Sequence, residues 1–206
     1  MIVALAGSDG VGKTTAIRHL AEELRRAGKT VRSVGRWDIV DNPAYPATRF
    51  IHSDIEDLRQ CVASMPPVPR FTFLMWTMHM ALEPYARLDE PSIVIVDGYW
   101  MKHAASEIAY GVEESYIGSI TTMLPRADLT FLLDAPVDLL YERKVHDLVA
   151  YECAMDPACS RESFVLHQTT IRTTLHKWQR EFNWIKLDAA RPVPEVVGDM
   201  ARAILR

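Results

Sequence analysis

The stretch Gly7-Ser8-Asp9-Gly10-Val11-Gly12-Lys13-Thr14 decides the fold, because it fits G-x-x-x-x-G-K-[ST] at every fixed position. Its flanks supply the context the pattern requires. Ile2-Val3-Ala4-Leu5-Ala6 is an apolar run of β type. Beyond the loop, Ala16, Ile17, Leu20, Ala21 and Leu24 share one helix face, and Gly28 ends that helix as a C′ residue. Between strand and helix the glycines let backbone N–H groups converge on phosphate oxygens, and the helix N-terminus adds its dipole. Lys13 is placed to neutralise β- and γ-phosphates, and the Thr14 hydroxyl to ligate Mg²⁺. A chance glycine turn would cap the helix equally well, but it would leave a lysine beside three glycines without structural purpose. The spacing therefore predicts binding of ATP or GTP.

Working outward, the same alternation of strand and helix recurs. Thr30–Val34, Ser92–Asp97, Leu129–Asp134 and Trp184–Leu187 read as further strands, the second a continuous apolar run of the kind buried on both faces of a parallel sheet. Helical patterns cover Asp54–Ala63, Arg70–Leu82, Glu113–Met123, Val137–Tyr151, Glu162–Arg180 and Pro194–Leu205. Met65-Pro66-Pro67-Val68-Pro69 reads as a breaker between the first two. This order predicts a three-layer α/β/α sandwich on a five-stranded, mainly parallel sheet, a single P-loop kinase-type domain over residues 1–206. Ligands in such sheets bind outside the carboxyl ends of the strands, so functional residues are expected just after Ala6, Val34, Val96, Leu133 and Leu187.

Composition bounds the function. The chain has 206 residues, 49% apolar and 24% charged, enough for one packed core and too apolar for global disorder. Lys plus Arg is 23 against 27 for Asp plus Glu, a net charge of −4 that argues against coating nucleic acid or an anionic membrane. The apolar run Met1–Ala6 is too short to span or to direct secretion. Three cysteines, Cys61, Cys153 and Cys159, leave one unpaired under any disulfide scheme, which suits a reducing cytoplasm. There is no Asn-Lys-x-Asp guanine signature, and the chain is small for an ATP-driven motor. A small kinase remains.

The loop Ala6-Gly7-Ser8-Asp9-Gly10-Val11-Gly12-Lys13-Thr14-Thr15 resembles that of thymidylate kinases, with an acidic residue third and Lys-Thr-Thr following. Further stretches are similar: Val94-Ile95-Val96-Asp97-Gly98-Tyr99 to a strand ending in Asp-Arg-Tyr, and Ile108-Ala109-Tyr110-Gly111 to Ala-Tyr-Gln-Gly. Ala127 to Pro136 resembles the fourth strand and its exit, Tyr141-Glu142-Arg143-Lys144 the Glu-Arg that opens the lid, and Leu187-Asp188-Ala189-Ala190 the turn after the last strand. The resemblance implies ATP and Mg²⁺ as cofactors, a small-molecule acceptor, and pairing of two copies through helices. Residues Gly7 to Thr15 would hold the donor phosphates. Asp9 would face the acceptor sugar, and Asp97 would act near Mg²⁺ and the acceptor oxygen. Arg143 would lie against adenine, bordered by the Ala189 and Ala190 backbones. In the family branch with glycine fourth in the loop, as at Gly10, the lid supplies the arginine that stabilises the transferring phosphoryl. Arg161 and Lys144, in a lid over residues 144–163, are the candidates here.

The departures from the family concern the acceptor. The Asp-Arg pair that grips the acceptor phosphate is Asp97-Gly98 here, and Met75-Trp76 stand where a base-reading Asp-Arg is expected. Either Arg36, Lys102 or Arg70 replaces the missing cation, or the acceptor carries no phosphate. Restoring an arginine at position 98 is expected to raise activity if the lost contact limits it. Phe73, Trp76 and Tyr99 either pack the core or stack on a flat acceptor group. His79 and His103 lie near the expected cleft and read as structural, whereas Glu152 and Asp156 are expected to point away from phosphate. Two further readings stay open: a kinase for a nucleoside or other hydroxylated metabolite, and a nucleotide-binding protein with altered catalysis.

Overall fold

The computed structural model describes residues 1–85 and 92–206. Strands β1 (Ile2–Ala6), β2 (Val31–Gly35), β3 (Ile93–Asp97), β4 (Leu129–Asp134) and β5 (Ile185–Asp188) form one sheet in the order β2-β3-β1-β4-β5. All of its pairings are parallel. Successive residues of a strand point to opposite faces, so each strand feeds two cores. Ala4, Ala6, Val34, Val94 and Val96 enter one; Val3, Leu5, Ile95, Phe131 and Leu133 enter the other.

Helices cover both faces. On one side α1 (Lys13–Arg26) and α8 (Val193–Ile204) bury Ile17, Leu20, Leu24, Val197 and Met200. On the other, α3 (Pro67–Leu82), α4 (Trp100–Ala109) and α7 (Arg161–Glu181) bury Phe71, Met78, Ala104, Ile171 and Trp178. The shorter α2 (Ile55–Ser64), α5 (Glu114–Thr121) and α6 (Val137–Lys144) complete the shell. The three-layer α/β/α sandwich is thus present.

Three boundaries differ from the sequence reading. The break between the first two helices is narrower than the proline run: Met65 and Pro66 separate α2 from α3, and Pro67 already lies inside the first turn of α3, with Pro66 as N-cap. Proline lacks only an N–H that the first turn leaves unbonded anyway. Helix α4, absent from the sequence reading, starts at Trp100 with Tyr99 as an N-cap that makes no side-chain cap hydrogen bond, so no capping residue marks its start. The helix expected over Val137–Tyr151 stops at Lys144, and only a single 3₁₀ turn, Ala150–Cys153, follows before α7.

The sheet also sets where ligands sit. Onward connections leave β1 toward β2 and β4 toward β5, in opposite directions, so the loop after Ala6 opens at the switch point. Gly35 pairs in register with Asp97, which brings Arg36 and Gly98 side by side at the sheet's edge.

Candidate active site

A cleft of about 1240 Å³ runs along the carboxyl ends of the strands. Pockets for a single ligand are typically ~300–1,000 Å³, so this one has room for two. Its lining includes loop residues Asp9 to Thr15, then Arg36, Arg70, Asp97, Lys102, Arg143 and Ala189. Gly7, Ser8, Ala190, Arg161, Phe73, Trp76 and Tyr99 are absent from it.

At the loop, the Lys13 ammonium donates to the carbonyls of Gly7 and Ser8, both at 2.9 Å, which fixes it at the loop's mouth. Burial pushes its pKa down to about 8, against the pull of Asp9. Gly10 has φ +79, and a Cβ there would meet the Leu140 carbonyl oxygen at 2.8 Å. An arginine fourth in the loop is therefore excluded by α6. Thr14 Oγ1 donates to Asp97 Oδ2 at 3.3 Å. Mg²⁺ is commonly held by one or two carboxylates plus substrate phosphates, and this hydroxyl–carboxylate pair fits that role. Among the described residues no group of three or more His, Cys, Asp or Glu converges as a metal cage.

Asp9 is held by three contacts from two residues. Lys102 Nζ lies 2.9 Å from its Oδ2, Gln168 Nε2 donates to the same oxygen at 3.2 Å, and Gln168 Oε1 accepts from its backbone N–H at 3.1 Å. Burial would raise the Asp9 carboxyl, but the Lys102 and Lys13 ammonium groups outweigh it and hold the pKa at about 2. Glu152, expected to face away, instead turns inward. It is buried, lines the cleft, and takes the Lys144 ammonium at 2.8 Å. Burial, then the neighbouring Asp9, raises its pKa.

On the other side of Asp97 stands Arg36. Its Nη1 meets His103 Nε2 at 2.6 Å and donates to Gly98 O at 3.5 Å, and the guanidinium lies 5.1 Å over the Trp37 ring. Gly98 has φ +62, and a Cβ there would be 2.8 Å from Arg36 Nη1. The guanidinium from the end of β2 therefore occupies the space beside Asp97 where a side chain at position 98 would rise. Burial lowers the Arg36 pKa to about 10, so the group stays cationic at neutral pH. Arg36 Nε, Trp37 Nε1 and His103 Nδ1 are buried without a partner, three polar atoms at the cleft's acceptor end.

Other expected residues are spoken for. Arg70 donates to both Glu107 carboxylate oxygens at 2.7 and 2.8 Å and to the Ala63 and Met65 carbonyls. Its guanidinium lies 4.9 Å from the Tyr110 ring centroid and 4.8 Å from that of Tyr151, against the edge of a pair of rings stacked at 5.5 Å. Though it borders the cleft, it braces α3 against α4. Tyr99 is buried and donates to the Pro125 carbonyl. Phe73 and Trp76 pack on each other, 6.1 Å between ring centroids, and Trp76 on Phe50. Tyr99 belongs to the core, Phe73 and Trp76 are partly buried against it, and His79 is exposed. Arg161 pairs with Asp138 on the surface, beside Tyr141. Arg143 donates to the Ala189 carbonyl at 3.1 Å, next to the turn after β5, while Ala190 is exposed. Sequence reasoning passed over Trp37, Tyr151 and Gln168, turned Glu152 away from the site, and took His103 as structural; of these, only Trp37 and His103 stand next to a cation already singled out.

No helix among the described residues is long and apolar enough to cross a membrane. No family model matches the chain. Curated relatives nevertheless run its full length. A "Probable thymidylate kinase 1" of Saccharolobus solfataricus is 22% identical over 203 residues, covering 98% of this chain and 96% of the relative. A "Probable thymidylate kinase" of Caldivirga maquilingensis is 26% identical over 206 residues, 99% and 93% of the two chains. A "Thymidylate kinase" of Xylella fastidiosa is 30% identical over 146 residues, 66% of this chain and 62% of its own.

Proposed function

We propose that this chain, a thymidylate kinase-like ATP-dependent nucleotide kinase, moves the γ-phosphoryl of ATP to a nucleoside monophosphate whose phosphate is gripped by Arg36. One observation carries the reading. The cation missing from the Asp97-Gly98 pair is supplied by Arg36, whose guanidinium lies over Gly98 and against His103. Guanidinium–phosphate pairs are roughly twice as strong as neutral hydrogen bonds, so a site for a phosphorylated acceptor needs such a group.

On the donor side Lys13 and the loop N–H groups hold the β- and γ-phosphates, with the α1 N-terminus behind them. Arg143, anchored on the Ala189 carbonyl, offers its planar guanidinium to the adenine face. Mg²⁺, gathered by the Thr14 hydroxyl and Asp97, would supply charge neutralisation at the β- and γ-oxygens. A monophosphate oxygen is already deprotonated at neutral pH, so the acceptor needs no general base and Asp97 remains free to orient. The segment 144–163 closes over the cleft and excludes water, which limits hydrolysis of ATP. A reaction drawing on the nucleotide pool suits the cytoplasm, as do three cysteines that are all free.

The name of the relatives makes thymidine monophosphate the first acceptor to try. The chain is incubated with Mg-ATP and each of the common nucleoside monophosphates, their nucleosides and small hydroxylated metabolites, with products identified by mass. Formation of a nucleoside diphosphate supports the reading. Turnover with nucleosides or hydroxylated metabolites alone would replace it with a hydroxyl kinase, and tight ATP binding with no acceptor turned over would leave a nucleotide-binding protein.

A further inference from the structure

We infer that Lys102, on the first turn of α4, is the catalytic cation that stabilises the phosphoryl group in transit, in place of an arginine from the lid. This rests on the proposed nucleotide kinase activity and adds a residue to it. Phosphoryl transfer spreads negative charge over three equatorial oxygens, and a cation beyond the loop lysine is what makes it fast. With Gly10 shut against Leu140, the loop itself has no room for an arginine.

The lid's cations are committed elsewhere. Arg161 is exposed and bound to Asp138 outside the cleft. Arg143 is turned to the Ala189 carbonyl. Lys144 lies between two carboxylates, Glu152 at 2.8 Å and Asp147 at 3.7 Å, so its neighbourhood is already net negative. It also rises behind the loop, its Cγ at the space beside Gly10.

Lys102 differs on each count. Its stem begins past the Asp97-Gly98 corner, on the acceptor side, and its ammonium ends 2.9 Å from Asp9 in the donor loop. It therefore bridges the two halves of the cleft, close enough to Lys13 for the two charges to repel. The side chain is buried, resting 5.0 Å over the Tyr151 ring, and a desolvated charge acts more strongly than an exposed one. An ammonium has three donors, and the Asp9 contact uses one. Gln168 also holds that carboxylate from α7, so Asp9 keeps a second hydrogen-bond donor. An incoming phosphoryl group can thus take the remaining Lys102 donors without stranding Asp9.

The test is a set of variants on the intact chain, assayed with Mg-ATP and the best nucleoside monophosphate. Lys102→Met is expected to lower kcat by about a hundredfold or more, the usual cost of one lost donor to a transition-state oxyanion, while ATP affinity by calorimetry changes less than about threefold. Lys102→Arg recovers part of the loss, and Arg161→Ala loses less than Lys102→Met. Because Lys102→Met also strips a buried partner from Asp9, the double variant Asp9→Asn/Lys102→Met is compared. It is expected to regain thermal stability but not kcat. Recovery of kcat in the double variant would mean that Lys102 only balances Asp9, and a Lys102→Met kcat within threefold of wild type would equally overturn the inference. A wild-type chain that phosphorylates no nucleoside monophosphate would instead bring down the kinase reading, and this inference with it.

Discussion

Substituting Gly98 by alanine tests whether the Arg36 guanidinium is what meets the acceptor. The residue has φ +62, and the added Cβ would lie 2.8 Å from Arg36 Nη1. Two effects follow, of different size and readout. The left-handed backbone costs roughly 1–2 kcal/mol for a residue with a Cβ, which for a chain of 206 residues lowers Tm by about 2–8 °C. The contact itself is relieved cheaply, since the guanidinium is the far end of a flexible side chain. Relief moves the cation by roughly 0.7 Å to reach ordinary contact distance, away from His103 and from the acceptor phosphate. A hydrogen bond to a charged group contributes about 1.5–3 kcal/mol, so KM for the acceptor should rise by about tenfold to a hundredfold, with ATP affinity unaltered. The control is non-additivity. In an Arg36→Ala background the Gly98→Ala change should add its stability cost but no further rise in KM. Full additivity on KM, or a lowered Tm with KM untouched, would refute the assignment of Arg36. The same geometry reverses the sequence expectation for Gly98→Arg: the new side chain collides with Arg36, so activity is expected to fall.

Three more outcomes are expected. Arg70→Met strands Glu107, which is fully buried, and should cost about 3–5 kcal/mol in urea unfolding; a loss below about 1 kcal/mol would deny the pair its bracing role. The Lys13 pKa is lowered to about 8, so its ammonium is charged below that pH and lost above it. ATP affinity should therefore weaken between pH 8 and 10, and a flat calorimetric profile across that range would contradict a lysine–phosphate contact. Burial would raise the Asp134 carboxyl, but Arg172, Lys186 and His176 outweigh it and hold it well below the usual carboxylate range. A depressed folded-state pKa stabilises above the unfolded value of about 3.9 and is lost as pH falls below it. Asp134→Asn should remove that acid-side decline, and unfolding curves for the variant and wild type that decline in parallel below pH 4 would refute it.

Much of the donor side was legible in the chain itself, because its chemistry is local. Gly7 to Thr15 are contiguous, and the loop, the strand before it and the helix after it define one another. The run Ile93–Asp97 announced a buried parallel strand for the same reason. The acceptor side depends on pairings that sequence order hides. Arg70 was a plausible phosphate ligand until Glu107, thirty-seven positions away, met it in the fold. Phe73, Trp76 and Tyr99 have the right character for stacking, yet nothing in their spacing distinguishes the helix face toward the cleft from the face toward the core. Glu152 looked unsuited to a phosphate site because its countercharge, Lys144, was not visible as its partner. Arg36 was one candidate among three, and only the register of Gly35 with Asp97 sets it over Gly98.

The central claim is that the loop at the end of β1 cradles a nucleoside triphosphate. Calorimetric titration of Mg-ATP into the wild-type chain and a Lys13→Ala variant tests it most directly. Saturable one-to-one binding to wild type, weakened by at least tenfold in a variant that keeps its circular dichroism spectrum and its cooperative unfolding, is the expected result. Absence of association with the wild-type chain, or equal affinity in both, would contradict the account.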